Sequence, residues 1–427
     1  MLDKEPVADL DAVWLQMETD KQAMMITTIL RFASRFPIDL LQSLVVDKIL
    51  RYEKFSSRYV KASLPGLSAS WQRDSNFSVH SHLHHIFMKQ KFSHSSLYGL
   101  LSELASTALE REKPLWQMHL VDYEDEGSFL LIRMHHALAD GLALLHLLED
   151  LTDEQFFSHL PSVGVDCENG KTSAVEKLWK VFNRSLSFAH LVSLSIDPPS
   201  CFKSSLGLRK LLSWSDAFDL NGLKVIARKI DGTVSDVLIG ITAGAMRRIL
   251  TKHGNKLTDI RAILPVAISD RLATMNFGNH LGLVFLDLPV TIDQPWSRLL
   301  IAKENLEEIK ASQEAQVASA ILSLMGATHP YLAALSMNFF VQKASLMLTS
   351  VPGPPVALHI AGIKLEDIVI FAPTASRLAL GMSFMSYAGK LRLGVSIDAS
   401  LGIQAEDLTQ AFTDEWQHFI SPADVKN

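Results

Sequence analysis

The stretch Phe129-Leu-Leu-Ile-Arg-Met-His-His-Ala-Leu-Ala-Asp-Gly-Leu-Ala-Leu-Leu-His-Leu-Leu148 sets the pattern from which the rest of the chain can be interpreted. Its apolar run from Phe129 to Met134 is typical of a buried strand, and its run from Leu142 to Leu148 is typical of a helix. His135 and His136 therefore lie at the end of a strand. Loops at strand ends often carry chemistry, and an imidazole can transfer protons near pH 7.

Two further residues shape this junction, where the chain turns into the helix. Asp140 can accept hydrogen bonds from nearby backbone groups or pair with a cation, and either would hold the loop in one shape. Gly141 allows a backbone conformation or a close approach that a side chain would block. A structural junction with two buried histidines is an alternative interpretation. A zinc site is another, but the pattern lacks the histidine spacing of H-E-x-x-H and has no cysteine nearby.

Length and composition describe a globular chain with a large core. It has 427 residues, enough for two or three domain-sized units, with 48% hydrophobic and 20% charged residues. The formal net charge is −6 and no long cluster of lysine and arginine occurs, which argues against nucleic acid as a partner. Cys167 and Cys201 match no metal or redox motif. We therefore expect a reducing, cytoplasmic location.

Three segments indicate whether the protein contacts a membrane. The N-terminus lacks the basic and apolar regions of a signal peptide. No Asp, Glu, Lys or Arg occurs between Glu314 and Lys343, but Pro330 interrupts the stretch, so we predict two buried or interfacial helices instead of a membrane span. A basic amphipathic helix is also predicted within residues 175–189. Peripheral docking on a membrane or lipid droplet therefore stays open.

Five histidines cluster in one short segment. In an alternating strand, three of them would share one face, but a metal site would also need support from cysteines or carboxylates. We therefore expect no metal here. The five are His80, His82, His84, His85 and His94.

Further motifs follow one another along the chain. One stands just before the central stretch, and the others lie in the second half. They are Pro114-Leu-Trp116, Thr233-Val-Ser-Asp-Val237, Arg261-Ala-Ile-Leu-Pro-Val266, Asn276-Phe-Gly-Asn-His-Leu-Gly282, Thr349-Ser-Val-Pro-Gly-Pro354 and Ser386-Tyr-Ala-Gly-Lys-Leu391.

Together with His-His-x-x-x-Asp-Gly, these motifs resemble, in content and order, the wax ester synthase/diacylglycerol acyltransferase family. That family belongs to the CoA-dependent acyltransferase superfamily, with chloramphenicol acetyltransferase and condensation domains. The resemblance extends from about residue 9 to about residue 420. The chain departs from the family pattern at Ser235, where the family has Asn, and at Thr349-Ser350, where it has Ser-Asn.

The resemblance implies a mixed α/β fold. It implies two chloramphenicol-acetyltransferase-like subdomains, each a mixed sheet flanked by helices, with an active-site tunnel between them. We place the N-terminal subdomain at residues 1–160, a crossover linker with the amphipathic helix at 161–205, and the C-terminal subdomain at 206–427.

The resemblance also implies roles for residues. His136 would be the general base and His135 a supporting residue. Asp140 would form a structural ion pair with an arginine, either Arg31 or Arg261, and Gly141 would permit tight packing of the loop. Residues that would line the tunnel and bind substrate are Thr233, Ser235, Asp236, Asn279 and Gly282.

The function implied is acyl-CoA-dependent O-acylation of a fatty alcohol, giving wax ester, or of diacylglycerol, giving triacylglycerol. Acyl-CoA would be a substrate, and no cofactor is expected. The acyl group would pass directly between substrates, which fits the absence of a Gly-x-Ser-x-Gly motif from the sequence. Two alternatives stay open: the same chemistry on a short alcohol or a polyketide diol, and a non-catalytic homologue associated with lipid droplets.

Overall fold

The computed structural model describes most of the chain, and its elements are numbered here in chain order. The described residues are 4–61, 69–124, 127–160, 174–267, 279, 281–328, 330–373 and 378–420. The helices are α1 (Asp9–Met17), α2 (Ile38–Leu44), α3 (His94–Ala105), α4 (Gly141–Leu151), α5 (Ala174–Ser193), α6 (Leu220–Lys229), α7 (Val234–Lys252), α8 (Pro295–Ala311), α9 (Glu314–Ala327), α10 (Pro330–Val341) and α11 (Ala405–Gln417). The strands are β1 (Lys4–Pro6), β2 (Met25–Phe32), β3 (Ser57–Val60), β4 (Ser70–Arg73), β5 (Leu83–Met88), β6 (Trp116–Tyr123), β7 (Ser128–His135), β8 (Lys210–Trp214), β9 (Phe218–Asp219), β10 (Ile260–Ala267), β11 (Leu281–Leu288), β12 (Leu346–Val351), β13 (His359–Ile360), β14 (Ile363–Phe371), β15 (Leu380–Tyr387) and β16 (Lys390–Asp398).

Two large mixed sheets form the frame of the molecule. The first has the order β13-β14-β2-β7-β6-β5, with β5 and β6 parallel and the other pairs antiparallel. The second has the order β11-β10-β12-β15-β16-β8, with β9 also paired to β16, and its β10–β12 and β12–β15 pairs are parallel. Helices flank both sheets, which confirms the predicted mixed α/β class.

The first sheet takes strands from both ends of the sequence. Strand β14 lies in the second half of the chain, yet it pairs antiparallel with β2, with Ile370 opposite Thr28. The predicted bounds at 1–160, 161–205 and 206–427 stay a prediction, and residues 161–173 lie outside the described residues. Because β14 joins the first sheet, the two sheets do not correspond to two consecutive parts of the sequence.

The central strand is buried on both faces. Every residue of β7 is buried, as expected for an apolar run covered on both sides. The largest apolar core includes residues of β2 and β7 from the first sheet and of β10, β11 and β12 from the second. The sheets therefore share one core, and the end of β7 lies beside it.

The uncharged stretch before Lys343 forms two helices, as predicted. Helix α9 ends at Ala327 and α10 begins at Pro330. Proline suits the first turn of a helix because its missing N–H would have no intrahelical partner there. Within the described part of the chain, no helix is both long and apolar enough to cross a membrane.

The five histidines do not lie on one alternating strand. Residues Val79–Ser81 form a 3₁₀ turn, and β5 begins only at Leu83. His82 is buried and its Nδ1 lies 2.7 Å from the carbonyl oxygen of Trp116, on whose ring it stacks. Among the described residues, no group of three or more His, Cys, Asp or Glu side chains is arranged to hold a metal ion.

Candidate active site

The junction after β7 is held by hydrogen bonds on both sides. The backbone N–H of His136 donates to the carbonyl of Met24, 2.7 Å away, which continues the pairing of β7 with β2. Asp140 caps α4, because its Oδ1 accepts hydrogen bonds from the N–H groups of Leu142 (3.1 Å) and Ala143 (3.0 Å). The turn between strand and helix is therefore fixed at both of its ends.

His136 presents its imidazole to the interior of the molecule. The ring stacks on Trp14, with the centroids 4.0 Å apart and the planes 16° apart. The surrounding protein lowers the pKa of His136 by desolvation, although the carboxylate of Asp140 opposes this effect. The ring is therefore neutral at pH 7 and can accept a proton.

His135 stabilises the loop through contacts with neighbouring protein groups. It is fully buried, and its Nδ1 accepts a hydrogen bond of 3.0 Å from the N–H of Ala137. Its Nε2 lies 3.9 Å from Glu18, whose carboxylate also accepts a hydrogen bond of 2.7 Å from Arg111. Burial lowers the pKa of His135 to about 3, so this ring is neutral as well. Its contacts lie within the protein, which suits a supporting role.

A buried carboxylate connects the first helix to the histidine loop. Oδ1 of Asp11 accepts hydrogen bonds of 2.8 Å from both the backbone N–H and the side-chain Nδ2 of Asn279. The same Nδ2 donates to the carbonyl of His136, also at 2.8 Å. Lys54 lies 3.5 Å from the other oxygen of Asp11, and burial raises the pKa of this carboxyl despite that partner. Asn279 thus joins α1 to the residue that carries the imidazole.

A large apolar cavity opens beside His136, between the two sheets. Its empty space, with the solvent-open part included, is about 1450 Å³, and its walls come from β2, β7 and β14 on one side and β10, β11 and β12 on the other. Helix α4 contributes seven of its eleven residues to the wall, and six of the seven are leucines. The lining is mostly aliphatic, so the cavity suits a hydrocarbon chain.

Comparison with known proteins identifies this arrangement. The model of the wax ester synthase/diacylglycerol acyltransferase catalytic domain matches residues 7–163, and the model of the C-terminal domain of the same family matches residues 277–419.

The chain belongs to the wax ester synthase/diacylglycerol acyltransferase family.

It is therefore an acyltransferase. Over 81% of its length it is 23% identical to a probable diacylglycerol O-acyltransferase of Mycobacterium tuberculosis, of which it covers 80%. It is 24% identical to an O-acyltransferase of Acinetobacter baylyi, with 91% of each chain covered.

Solved structures agree on the fold. The wax ester synthase/diacylglycerol acyltransferase of Marinobacter aquaeolei matches with a TM-score of 0.69 at 18% identity, covering 97% of this chain and 99% of the other. A trichothecene 15-O-acetyltransferase of Fusarium sporotrichioides matches with a TM-score of 0.66 at 12% identity, covering 98% and 96%. These matches confirm the predicted acyltransferase fold.

Only some of the predicted binding residues lie near the histidine loop of this family member. Asn279 contacts the loop, but through the carbonyl of His136. Thr233 and Asp236 form a capping box at the start of α7, and Ser235 beside them is exposed. Gly282 faces α9, where an added Cβ would meet the carbonyl oxygen of Ala315 at 2.0 Å. None of these five described residues is part of the cavity wall, so their binding roles stay predictions.

The two arginines predicted as partners of Asp140 contact other carboxylates. Nε of Arg31 lies 3.5 Å from Glu366, and Nε of Arg261 donates to Asp287 at 2.7 Å. What the structure shows for Asp140 is the capping of α4, and its ion pair with an arginine stays a prediction.

Gly141 approaches the second sheet closely, because a Cβ there would lie 3.2 Å from Cγ2 of Val351. This contact brings the N-terminus of α4 against the end of β12.

Sequence reasoning missed two residues of the site. They are Asp11, whose carboxylate accepts hydrogen bonds from Asn279, and Trp14. Trp14 is 4% exposed and belongs to the core, but its ring also lines the cavity and stacks on His136. The signal available in the sequence was an acidic residue on the apolar face of a short helix, which needs a buried partner.

Proposed function

We propose that the protein transfers a long-chain acyl group from acyl-CoA to the hydroxyl of a fatty alcohol or a diacylglycerol, forming a wax ester or a triacylglycerol. The observation that carries this proposal is the neutral imidazole of His136 in the wall of a long apolar cavity. The relatives named as diacylglycerol O-acyltransferases and as a wax ester synthase support the choice of acceptors.

The proposed reaction needs one base and no covalent enzyme intermediate. An alcohol is a poor nucleophile until its proton is removed, and His136 accepts that proton as the oxygen attacks the thioester carbonyl. The new C–O bond forms, the C–S bond breaks, and the proton on His136 returns to the departing thiolate of CoA. Acyl-CoA is thus a substrate, and the proposal requires no cofactor.

The proposal is tested by measuring CoA release from palmitoyl-CoA with hexadecanol, with a diacylglycerol and without acceptor. Wild-type protein should release CoA only when an acceptor is present. His136→Ala should lose about 10²–10⁴-fold in kcat, the usual contribution of a general base. His80→Ala, which changes an exposed histidine outside the cavity, is the matched control and should retain activity. No turnover with either acceptor, or full activity of His136→Ala, would refute the proposal.

We infer further that the protein takes its substrates from a lipid surface through one face of α10. Leu335 and Phe339 are 58% and 47% exposed on this face, while Ala333, Met337 and Val341 are buried on the other. The helix carries no charged residue. A helix that is apolar on both faces is poorly suited to water and well suited to a lipid interface.

Helix α5 extends this apolar face. Nζ of Lys343 donates to the carbonyls of Leu191 and Val192 at 2.8 and 2.7 Å, and it lies 4.3 Å from the ring centroid of Phe339. Val192, near the end of α5, is 43% exposed, and Ile196, just beyond that end, is 67% exposed. The C-terminal end of α5 thus adds exposed apolar side chains beside α10, which suits contact with a lipid layer.

Flotation with phosphatidylcholine vesicles that contain diacylglycerol tests this surface. The double variant Leu335→Glu/Phe339→Glu should float less than wild type, because burying a carboxylate in the interface is costly. Leu208→Glu changes a leucine that is 61% exposed next to β8 and serves as the control. Equal flotation of the double variant and the wild type would exclude this face as the contact.

A further inference from the structure

The floor of the cavity is built from regular rows of side chains on the first sheet. Four strands place one residue each in the middle row, because cross-strand neighbours project to the same face. That row, read from β6 across β7 and β2 to β14, is Met118, Ile132, Thr28 and Ile370.

Hydrocarbon rows lie on either side of it. Met134 and Ile26 are opposite each other on the side of His136, and Leu30 and Ile368 are opposite each other on the far side. All four line the cavity. Thr28 therefore stands in the middle of an aliphatic floor.

The hydroxyl of Thr28 has no hydrogen-bond partner among the described residues. The side chain is 8% exposed, and its Oγ1 is shielded from water. A hydroxyl left unpaired in an apolar environment destabilises the fold, whereas valine has the same shape and favours strands equally well. The formation of strand β2 therefore does not explain why this position holds a threonine and not a valine. Staggered rotamers about 120° apart let the hydroxyl exchange places with the methyl group and turn toward the cavity.

The register gives the distance of this hydroxyl from the reaction. His136 lies opposite Met24, and Thr28 follows Met24 by four residues on the same strand, which is about 13 Å at ~3.3 Å per residue. An extended hydrocarbon with bonds of about 1.5 Å at tetrahedral angles advances roughly 1.25 Å per carbon. A chain that starts at His136 and follows β2 therefore reaches Thr28 after roughly ten carbons.

We propose that Thr28 is a polar subsite that recognises a hydroxyl or carbonyl oxygen in the middle of a long lipid chain. Such a chain brings to the floor the hydrogen-bond partner that Thr28 lacks, while its two halves contact the aliphatic rows on either side. This inference rests on the proposed function, because it takes the chain to run from His136 along β2. The acyl donor and the alcohol acceptor are two sources of the same chemistry.

Equilibrium binding tests the proposal without depending on turnover. Two pairs of probes are compared: 10-hydroxyoctadecanoyl-CoA with octadecanoyl-CoA, and 1,10-octadecanediol with octadecanol. In the wild type, the oxygenated member of one pair should have a lower dissociation constant than the member without the mid-chain oxygen. The quantity compared between variants is the dissociation constant of the plain probe divided by that of the oxygenated probe. In Thr28→Val, that ratio of dissociation constants should fall about tenfold, because the mid-chain oxygen is then buried without a partner. Thr28→Ser keeps the hydroxyl and should keep the ratio.

The outcomes separate this proposal from the proposed function. A ratio that falls for the CoA pair assigns the subsite to the donor chain, and one that falls for the alcohol pair assigns it to the acceptor chain. If Thr28→Val changes neither ratio while its thermal midpoint shows an intact fold, the proposal is overturned. CoA release from octadecanoyl-CoA with octadecanol, measured in parallel on the wild type, reports on the proposed function alone.

Discussion

Asn279→Ala tests whether the contact between α1 and the histidine loop positions the base. The substitution removes the Nδ2 group that donates to Asp11 and to the carbonyl of His136, each at 2.8 Å. It leaves the backbone N–H of residue 279, which also donates to Asp11 at 2.8 Å. The imidazole itself and the cavity wall are unchanged. Asn279 also raises the pKa of His136, so an effect on kcat is attributed to position only when it is measured at a pH where the imidazole is neutral in both proteins.

The size of the effect follows from the two lost hydrogen bonds. A bond to a buried carboxylate contributes about 1.5–3 kcal/mol, and a neutral bond to a carbonyl contributes about 0.5–1.5 kcal/mol. The free energy of unfolding should therefore fall by about 2–4 kcal/mol. A displacement of the base by about 1 Å can lower the rate about 10²-fold. We expect kcat to fall by about that factor while KM changes little, because the apolar chain contacts remain.

The assay is acceptor-dependent CoA release, measured together with thermal unfolding. Asn305→Ala is the matched control, because the side chain of Asn305 donates to the carbonyl of Asp287 at 2.9 Å in an exposed position of α8. The acid limb of the pH profile should keep its shape in Asn279→Ala, since the base is still present. A variant of Asn279 that keeps the wild-type kcat would refute the positioning argument, even if its stability falls.

Three further predictions follow from the same geometry. Because protonated His136 cannot accept a proton and burial lowers its pKa from 6.5, the acid limb of kcat/KM should have its midpoint below pH 6.5, and a midpoint above 6.5 would contradict the argument. Asp140→Ala should lower the free energy of unfolding by about 1 kcal/mol in denaturant titrations through loss of the α4 cap, and should move the acid limb to lower pH, because the carboxylate raises the pKa of His136. Gly282→Ala should destabilise strongly in thermal unfolding, because the new Cβ would meet the carbonyl of Ala315 at 2.0 Å, whereas Gly99→Ala in α3, where no atom lies within 4 Å, should not destabilise.

Several parts of the site could be predicted because they depend on neighbours in sequence. The apolar run before His135 and the Asp-Gly pair after it specify a strand, a turn and a capped helix, and the structure contains all three. Pro330 separated two helices for an equally local reason. The ordered motifs indicated the family, and the comparisons confirm it.

Other parts depend on contacts between distant residues. Asp11 and Asn279 are separated by 268 positions, and their hydrogen bonds arise only when α1 packs beside the end of β7.

The sequence by itself determined the strand, the turn and the helix, because periodicity and capping act over a few residues. The general-base role of His136 was implied by the family resemblance and stays a prediction. Only the tertiary structure decided what surrounds that histidine. Strand β14 joins the first sheet from far along the chain, and Ile370 thereby becomes the neighbour of Thr28 on the cavity floor. The cavity exists because strands of both sheets and α4 together form its wall, and that arrangement depends on long-range contacts that no local pattern encodes.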